Sequence, residues 1–240
     1  VAQTLYQGED YVLMIGSHMR FIDGWDDALI SELAKCSTEK AFLSSYPPGY
    51  KPPNDLAKNP MPTVLLAQDF NEQGDIRFKG ETLYKKPKKP LNGAFLAGGQ
   101  IFAPGSFIKE VPYDPFMYFN HEEITLAARA YTHGWDSYSP TDTFMYHLYH
   151  TGNAGRRLHW EDNKDWSHMT RVSRGRYNYL LGGMLPEHEN ILTDIDKYGL
   201  GGVRNLEAFE SYTGLNFKDK KASARAQKGE FIKDINQYRK

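Results

Sequence analysis

The chain has 240 residues, of which 40% are hydrophobic and 25% charged, and its formal net charge is -1. This is enough apolar chain to bury a core of its own, while the near-neutral balance excludes a broad basic footprint for nucleic acid, and no apolar run approaches the ~20 residues that a membrane span needs. The single cysteine, Cys36, excludes an internal disulfide and fits a reducing compartment.

Residues 11–15 read YVLMI, a continuous apolar run that predicts a fully buried strand. Gly16, Ser17, His18 and Arg20 follow it, and polar groups just past the end of a buried strand are where α/β folds build their sites. Trp25, Ala28, Leu29 and Leu33 have helical spacing, with Asp26 and Asp27 near the start, where negative charge is favourable. Residues 41–45 predict a second buried strand, stopped by Pro47-Pro48-Gly49. Residues 51–62 hold four prolines and predict a loop, and Thr63 to Ala67 a third strand. The polar stretch 68–92 includes Lys85-Lys86-Pro87-Lys88-Lys89, whose expected state is a solvated, mobile loop rather than a binding patch.

Residues 95–107, FLAGGQIFAPGSF, predict a strand preceded by Gly98-Gly99. Those glycines either admit a ligand close to the backbone or serve a tight turn. Glu122 to His133 predicts a helix with Ile124, Ala127, Ala128 and Tyr131 on one face and Glu122 and Glu123 in its first turn. Residues 136–149 predict a loop and then a strand ending in Tyr146-His147-Leu148-Tyr149-His150. Helices are expected over 167–181 and 186–198, and a turn at Gly199, Gly201 and Gly202. Residues 217–240, rich in Lys and Ala, predict a terminal helix or frayed tail, which leaves 1–216 as the main domain.

Two features carry chemistry. His18 and His147 both sit near strand ends, where two imidazoles on one sheet edge could meet at a divalent ion. Glu122 and Glu123 can accept hydrogen bonds from sugar hydroxyls, or act as a base if a pKa is raised; the alternative is that they only complement the helix dipole. The 14% aromatic share, with 16 tyrosines, allows rings to stack on sugar faces or simply to fill the core. There is no P-loop, GxGxxG, HExxH, GxSxG or CxxC, which removes the commonest nucleotide-cofactor, zinc-protease, esterase and redox readings.

The segments GSHMRFIDGWD, KAFLSSYPPGY, PYDPFMYFNHEEITLAARAYTHGWDSYSP, YHLYH and KYGLGGVRNLEAFESYTGLNF, in that order, resemble a family of cytoplasmic GlcNAc transferases that modify a hydroxyproline on the adaptor subunit of SCF-type ubiquitin ligases. The resemblance runs through most of residues 1 to about 216. It implies an α/β, GT-A-like fold with a mixed sheet flanked by helices. It also implies a UDP-sugar donor, usually UDP-GlcNAc, a divalent ion, typically manganese, retention of anomeric configuration, and a protein hydroxyl as acceptor. Neither nucleic acid nor membrane is an expected partner. A preceding α/β segment that holds the uridine is expected too, and is not among these residues.

That family is similar to the mucin-type polypeptide GalNAc transferases, and both carry an Asp-x-His motif at a strand end. The resemblance implies His18 and His147 as metal ligands, Glu122, with Glu123 beside it, as the glutamate shaping the sugar and acceptor pocket, and Gly98 and Gly99 as backbone near the donor sugar. Ser17, Arg20, Asp114, Trp135 and Tyr149 complete the expected donor and acceptor set. This chain departs from the motif, because Gly16 stands where the family has Asp and supplies no ligand. Asp23 and Asp26 are the nearby carboxylates that could replace it. Three readings follow: a transferase; a non-catalytic sugar- or peptide-binding module using Trp135, Tyr138 and Glu122; and a two-histidine hydrolase, which lacks a water-activating carboxylate spaced near either histidine.

Overall fold

A computed structural model describes residues 2–119, 121–149 and 159–240. In chain order its elements are β1 (Tyr11–Ile15), β2 (Met19–Phe21), α1 (Trp25–Leu33), β3 (Ala41–Ser44), β4 (Tyr50–Lys51), β5 (Asp55–Leu56), β6 (Thr63–Phe70), β7 (Ile76–Thr82), β8 (Leu91–Asn92) and β9 (Gln100–Pro104). They continue with α2 (Ser106–Glu110), α3 (Glu122–Thr132), β10 (Asp136–Ser139), β11 (Met145–His147), α4 (His159–Asp162), α5 (Trp166–Gly182), α6 (Leu206–Thr213), β12 (Leu215–Asn216), β13 (Lys221–Ala222) and α7 (Ala224–Lys228).

The architecture is mixed α/β. A five-stranded sheet runs in the order β1–β9–β3–β10–β8. β3 and β10 are parallel, and the other neighbours are antiparallel. The register sets Ile15 opposite Gln100, and Ser44 opposite Ile101. One end of the sheet therefore collects three chain segments: Gly16 leaving β1, Gly98-Gly99 entering β9, and Ser45-Tyr46 leaving β3. Hydrogen bonds lock this end, from Ser44 Oγ to the Gln100 carbonyl (2.6 Å) and from the Ala97 amide to Ser44 Oγ (2.8 Å).

Helix α3 is the central support. Ile124, Leu126, Ala127, Ala128 and Ala130 are all buried, so the helix is covered nearly all round rather than on the single face its spacing suggested. Its buried Arg129 remains tolerable because Nη2 donates to the Pro112 carbonyl (2.7 Å) and Nε to that of Gly199 (3.3 Å). Burial lowers the pKa of this guanidinium to about 10. Gly201 sits where a Cβ would fall 2.5 Å from the Thr132 carbonyl oxygen, so the glycine-rich turn lies directly on the end of α3.

Several expectations are corrected. β1 is an edge strand, paired only with β9, and Tyr11 and Ile15 are exposed at its ends. The polar stretch after Ala67 is not one loop: β6 extends to Phe70 and turns into β7, forming a hairpin apart from the main sheet. Residues 186–198 form only a single 3-10 turn, Glu189–Leu192. The Arg176 guanidinium draws the Ile191 and Thr193 carbonyls toward itself, at 2.7 and 2.9 Å, and so takes acceptors that a continuous helix would need. Residues 217–240 are not a frayed tail. Phe217, Phe231, Ile232 and Ile235 are buried in the main core, with the Phe231 ring edge-on to Phe95 at 5.4 Å. Aromatic burial of this size outweighs the local Lys and Ala content. No helix among the described residues is long and apolar enough to cross a membrane.

Candidate functional site

The clearest polar cluster lies at the first turn of α3, against that end of the sheet. Glu123 Oε1 accepts a hydrogen bond from the Gly98 amide at 2.7 Å, and its Oε2 accepts one from the Tyr46 hydroxyl at 3.4 Å. Burial raises the Glu123 pKa, opposed by these two donors. The same crowding acts on the surrounding phenols. Burial first, and the Glu123 charge next, push Tyr46 up strongly and Tyr149 to about 12. Tyr113 is raised by burial and then by Glu122 and Glu123. Two carboxylates, three phenols and the Gly98 amide thus form one polar cluster, and Glu123 is more than a dipole partner of its helix. A Cβ on Gly98 would come within 3.6 Å of Glu123 Oε1, and Gly99 faces open space. Both glycines lie in a tight turn beside this cluster, to which the Gly98 amide belongs.

Tyr149 joins this corner to a second one. Its hydroxyl donates to the Pro47 carbonyl at 2.7 Å, and its ring lies edge-on to His147 at 4.6 Å. Tyr46 and Tyr149 line a cleft of about 460 Å³ with Pro47, Pro48, Met61 and Thr82. His147 is placed by β11, which pairs with β2 so that His147 faces Met19. The Leu148 amide donates to the His18 carbonyl at 2.9 Å, which brings the two histidine-bearing segments side by side. Ser17 Oγ and His18 Nδ1 are 2.9 Å apart. Arg20 is turned to the β4–β5 ribbon, with Nε donating to Asn54 Oδ1 at 2.6 Å and the guanidinium over the Tyr50 ring at 4.9 Å.

Gly16 faces this second corner. A Cβ built there would lie 3.2 Å from His147 Nε2. The backbone of Gly16 is not in the left-handed region, so nothing in its conformation calls for glycine. A carboxylate at this position would project beside the imidazole. Without one, His18 and His147 offer two nitrogens and no oxygen, and among the described residues no group of three His, Cys, Asp or Glu side chains could hold a metal ion. Asp23 and Asp26 are exposed and do not complete the set. The described residues therefore do not by themselves make up the divalent-ion site that the sequence suggested. His150 lies outside the described residues.

Two expected ligand-binding residues are corrected. Asp114 is 3% exposed and bound to Arg176, with Oδ2 accepting from Nε at 2.8 Å and Oδ1 from the Phe116 amide at 2.9 Å. Its carboxylate is committed to the fold. Trp135 is 1% exposed, its ring edge-on to Phe107 and its Nε1 donating to Glu110 Oε2 at 3.0 Å. Tyr138 is likewise buried, its hydroxyl 2.7 Å from Ser37 Oγ. Neither ring is open to a sugar, and the tryptophan indole N–H found its partner inside. Sequence reasoning missed Tyr46 and Tyr113. The Tyr46-Pro47-Pro48 break after a buried strand was the available signal for the first, since it marks a chain segment leaving the functional end of the sheet.

His121 serves as a brace. It is 1% exposed, with Nε2 on Asp75 Oδ1 at 2.9 Å and Nδ1 on Ser173 Oγ at 3.0 Å. It ties the start of α3 to the β6–β7 turn and to α5. Asp75 is also held by Arg174 at 2.9 Å. Burial raises the Asp75 pKa, but the bonds and charges of His121 and Arg174 more than offset this, and the net shift is downward.

A solved structure of GalNAc-T7 with UDP, GalNAc and Mn2+ is similar over 84% of this chain and 40% of that one, at 12% identity and a TM-score of 0.48. This chain thus spans less than half the length of that protein. No curated protein matches the chain. A family model described as Glycosyltransferase (GlcNAc) matches residues 1–219, nearly the whole of the described fold, and the chain belongs to that glycosyltransferase family.

Proposed function

We propose that this chain forms the sugar- and acceptor-binding part of a transferase that moves GlcNAc, or a related sugar, from a UDP-sugar to a protein hydroxyl. The observation that carries this reading is Glu123, clamped between the Gly98 amide and the hydroxyl of Tyr46, a residue that also lines the neighbouring cleft. A carboxylate fixed by two donors keeps lone pairs for hydroxyls of an incoming sugar or acceptor. Its raised pKa favours taking up a proton from an acceptor hydroxyl. Gly98 and Gly99 admit a ligand against bare backbone, and Tyr46 and Tyr149 supply apolar ring surface beside it. Retention of configuration, cytoplasmic location and a hydroxyproline acceptor belong to this proposal on the resemblance alone.

Manganese has no derived role here, because no carboxylate among the described residues joins the imidazole pair. That same observation favours a second reading, a binding module that holds sugar or peptide in the Glu123 pocket without transfer. Transfer from UDP-GlcNAc to acceptor proteins in an extract, measured with the full-length protein and with Glu123→Ala, separates the two. The transferase reading expects incorporation that falls by about a hundredfold in the variant. No incorporation, together with saturable GlcNAc binding lost in Glu123→Ala, supports the binding module. Equal transfer by both proteins overturns the role given to Glu123.

A further inference from the structure

The lysine-rich segment expected to be a mobile loop is part of a built surface. Pro87 and Pro90 are buried, while Lys85, Lys86, Lys88 and Lys89 are exposed between and before them. The segment is held at its start by the Tyr84 amide, which donates to the Tyr238 carbonyl at 2.7 Å, and Lys85 lies over the Tyr238 ring at 5.5 Å. The C-terminal residues supply the opposite wall. Lys85, Lys86, Lys88, Lys89 and Lys233 line one cleft of about 640 Å³, in which Asp234 is the acidic residue. On the other side of Tyr84, a cleft of about 820 Å³ is lined by Lys79, Lys228, Arg239 and Lys240, against Glu81. Such a local excess stands out in a chain whose net charge is -1.

Two pairings reduce this excess only in part: Lys86 with Asp142 at 2.6 Å, and Arg239 with Glu81. The second cleft continues into the Tyr46 and Tyr149 cleft, since Met61 and Thr82 line both. A chain lying in these grooves would run from the Tyr46 and Tyr149 cleft onto the basic surface.

We propose that this lysine-lined double cleft docks an acidic, extended polypeptide segment of a partner protein. The cations attract an acidic chain and are not arranged to read bases. They are nearly all lysines, which act as point charges, and the one arginine fork is already occupied by Glu81. The tyrosine faces that would stack nucleobases carry ammonium groups, Lys240 over Tyr84 at 5.9 Å and Lys85 over Tyr238. The concave shape suits a single extended chain more than a flat lipid surface. This inference goes beyond the sugar-transfer reading and does not depend on it, because binding is read without transfer.

The test is fluorescence anisotropy of a labelled oligoglutamate peptide with the unaltered chain, with Lys88→Glu/Lys89→Glu/Lys233→Glu, and with a charge-matched control, Lys109→Glu/Lys164→Glu/Lys197→Glu, whose residues line neither cleft. Matching melting temperatures establish that each variant is folded. Saturable binding that weakens with salt, falls about tenfold or more in the cleft variant and stays within about twofold in the control is expected. Absent binding, or an equal loss in the control, overturns the proposal. Tighter binding of single-stranded oligothymidylate, or of phosphatidylserine vesicles, than of oligoglutamate also overturns it.

Discussion

The two corners of the site differ in completeness. At the Glu123 corner every supporting group is present: the carboxylate is held by Gly98 and Tyr46, and the helix carrying it is braced by His121, Asp75 and Ser173. At the Gly16 corner the frame is equally well made. β11 pairs with β2, and a Cβ at residue 16 would come within 3.2 Å of His147 Nε2, yet Gly16 carries no side chain there. The contrast teaches that backbone pairing and side-chain chemistry are set separately. Strand pairing fixes where His147 sits, whereas the chemistry at position 16 depends on one side chain.

The support under the complete corner is the easiest thing to break. Asp114→Ala would leave the buried Arg176 guanidinium without its carboxylate, and a loss of about 3–5 kcal/mol is expected in denaturant melts. A loss well under 1 kcal/mol would mean that the Arg176 ion pair is not what holds α5 to the core. Glu123→Ala removes the centre of the pocket without emptying the core, and should lower transfer by about a hundredfold, or ~2.7 kcal/mol, with little change in melting temperature. Tyr149→Phe is milder. It deletes the hydroxyl that donates to Pro47 and should cost about 1 kcal/mol in stability, a value that urea titration can resolve.

The smallest effect is a pH dependence. The native Glu123 carboxyl binds its proton more tightly than the unfolded chain does, because its pKa is raised above 4.5. Between the unfolded and folded values the native state holds more protons, so its stability falls as pH rises through that window. Glu123→Gln has nothing to titrate there and keeps an oxygen for the Gly98 amide. Its melting temperature relative to the unaltered chain should rise with pH from about 4.5 upward. Parallel melting curves would show that the carboxyl is not perturbed.

Much of the frame was legible in the sequence. The spacing of Trp25, Ala28, Leu29 and Leu33 marks α1, and the run from Glu122 marks α3, because helical periodicity and first-turn acids act locally. The strand at residues 11–15 was also legible, but its edge position was not, since an apolar run says nothing about how many neighbours it has. β7 was hidden because Arg77, Lys79 and Glu81 alternate on a strand with one side in solvent. The C-terminal segment was misread because Phe217, Phe231 and Ile235 are too sparse to set a period, yet each finds a place in the core. Asp114 and Trp135 looked like ligand-binding residues in the one-dimensional chain, and only their partners Arg176 and Glu110 reveal internal roles. Pairing across such separations is set by tertiary packing and is not a local property.

The resemblance expects a divalent ion at His18 and His147, and the described residues there offer no carboxylate to complete such a site, which Asp at position 16 would supply. Calorimetric titration of manganese into the unaltered chain, Gly16→Ala and Gly16→Asp tests it most directly. The alanine variant separates crowding of His147, which a Cβ approaches to 3.2 Å, from the effect of the carboxylate. Binding at least about tenfold tighter in Gly16→Asp than in the other two proteins is the predicted result. Equal binding by all three, or no binding by any of them, would contradict the account.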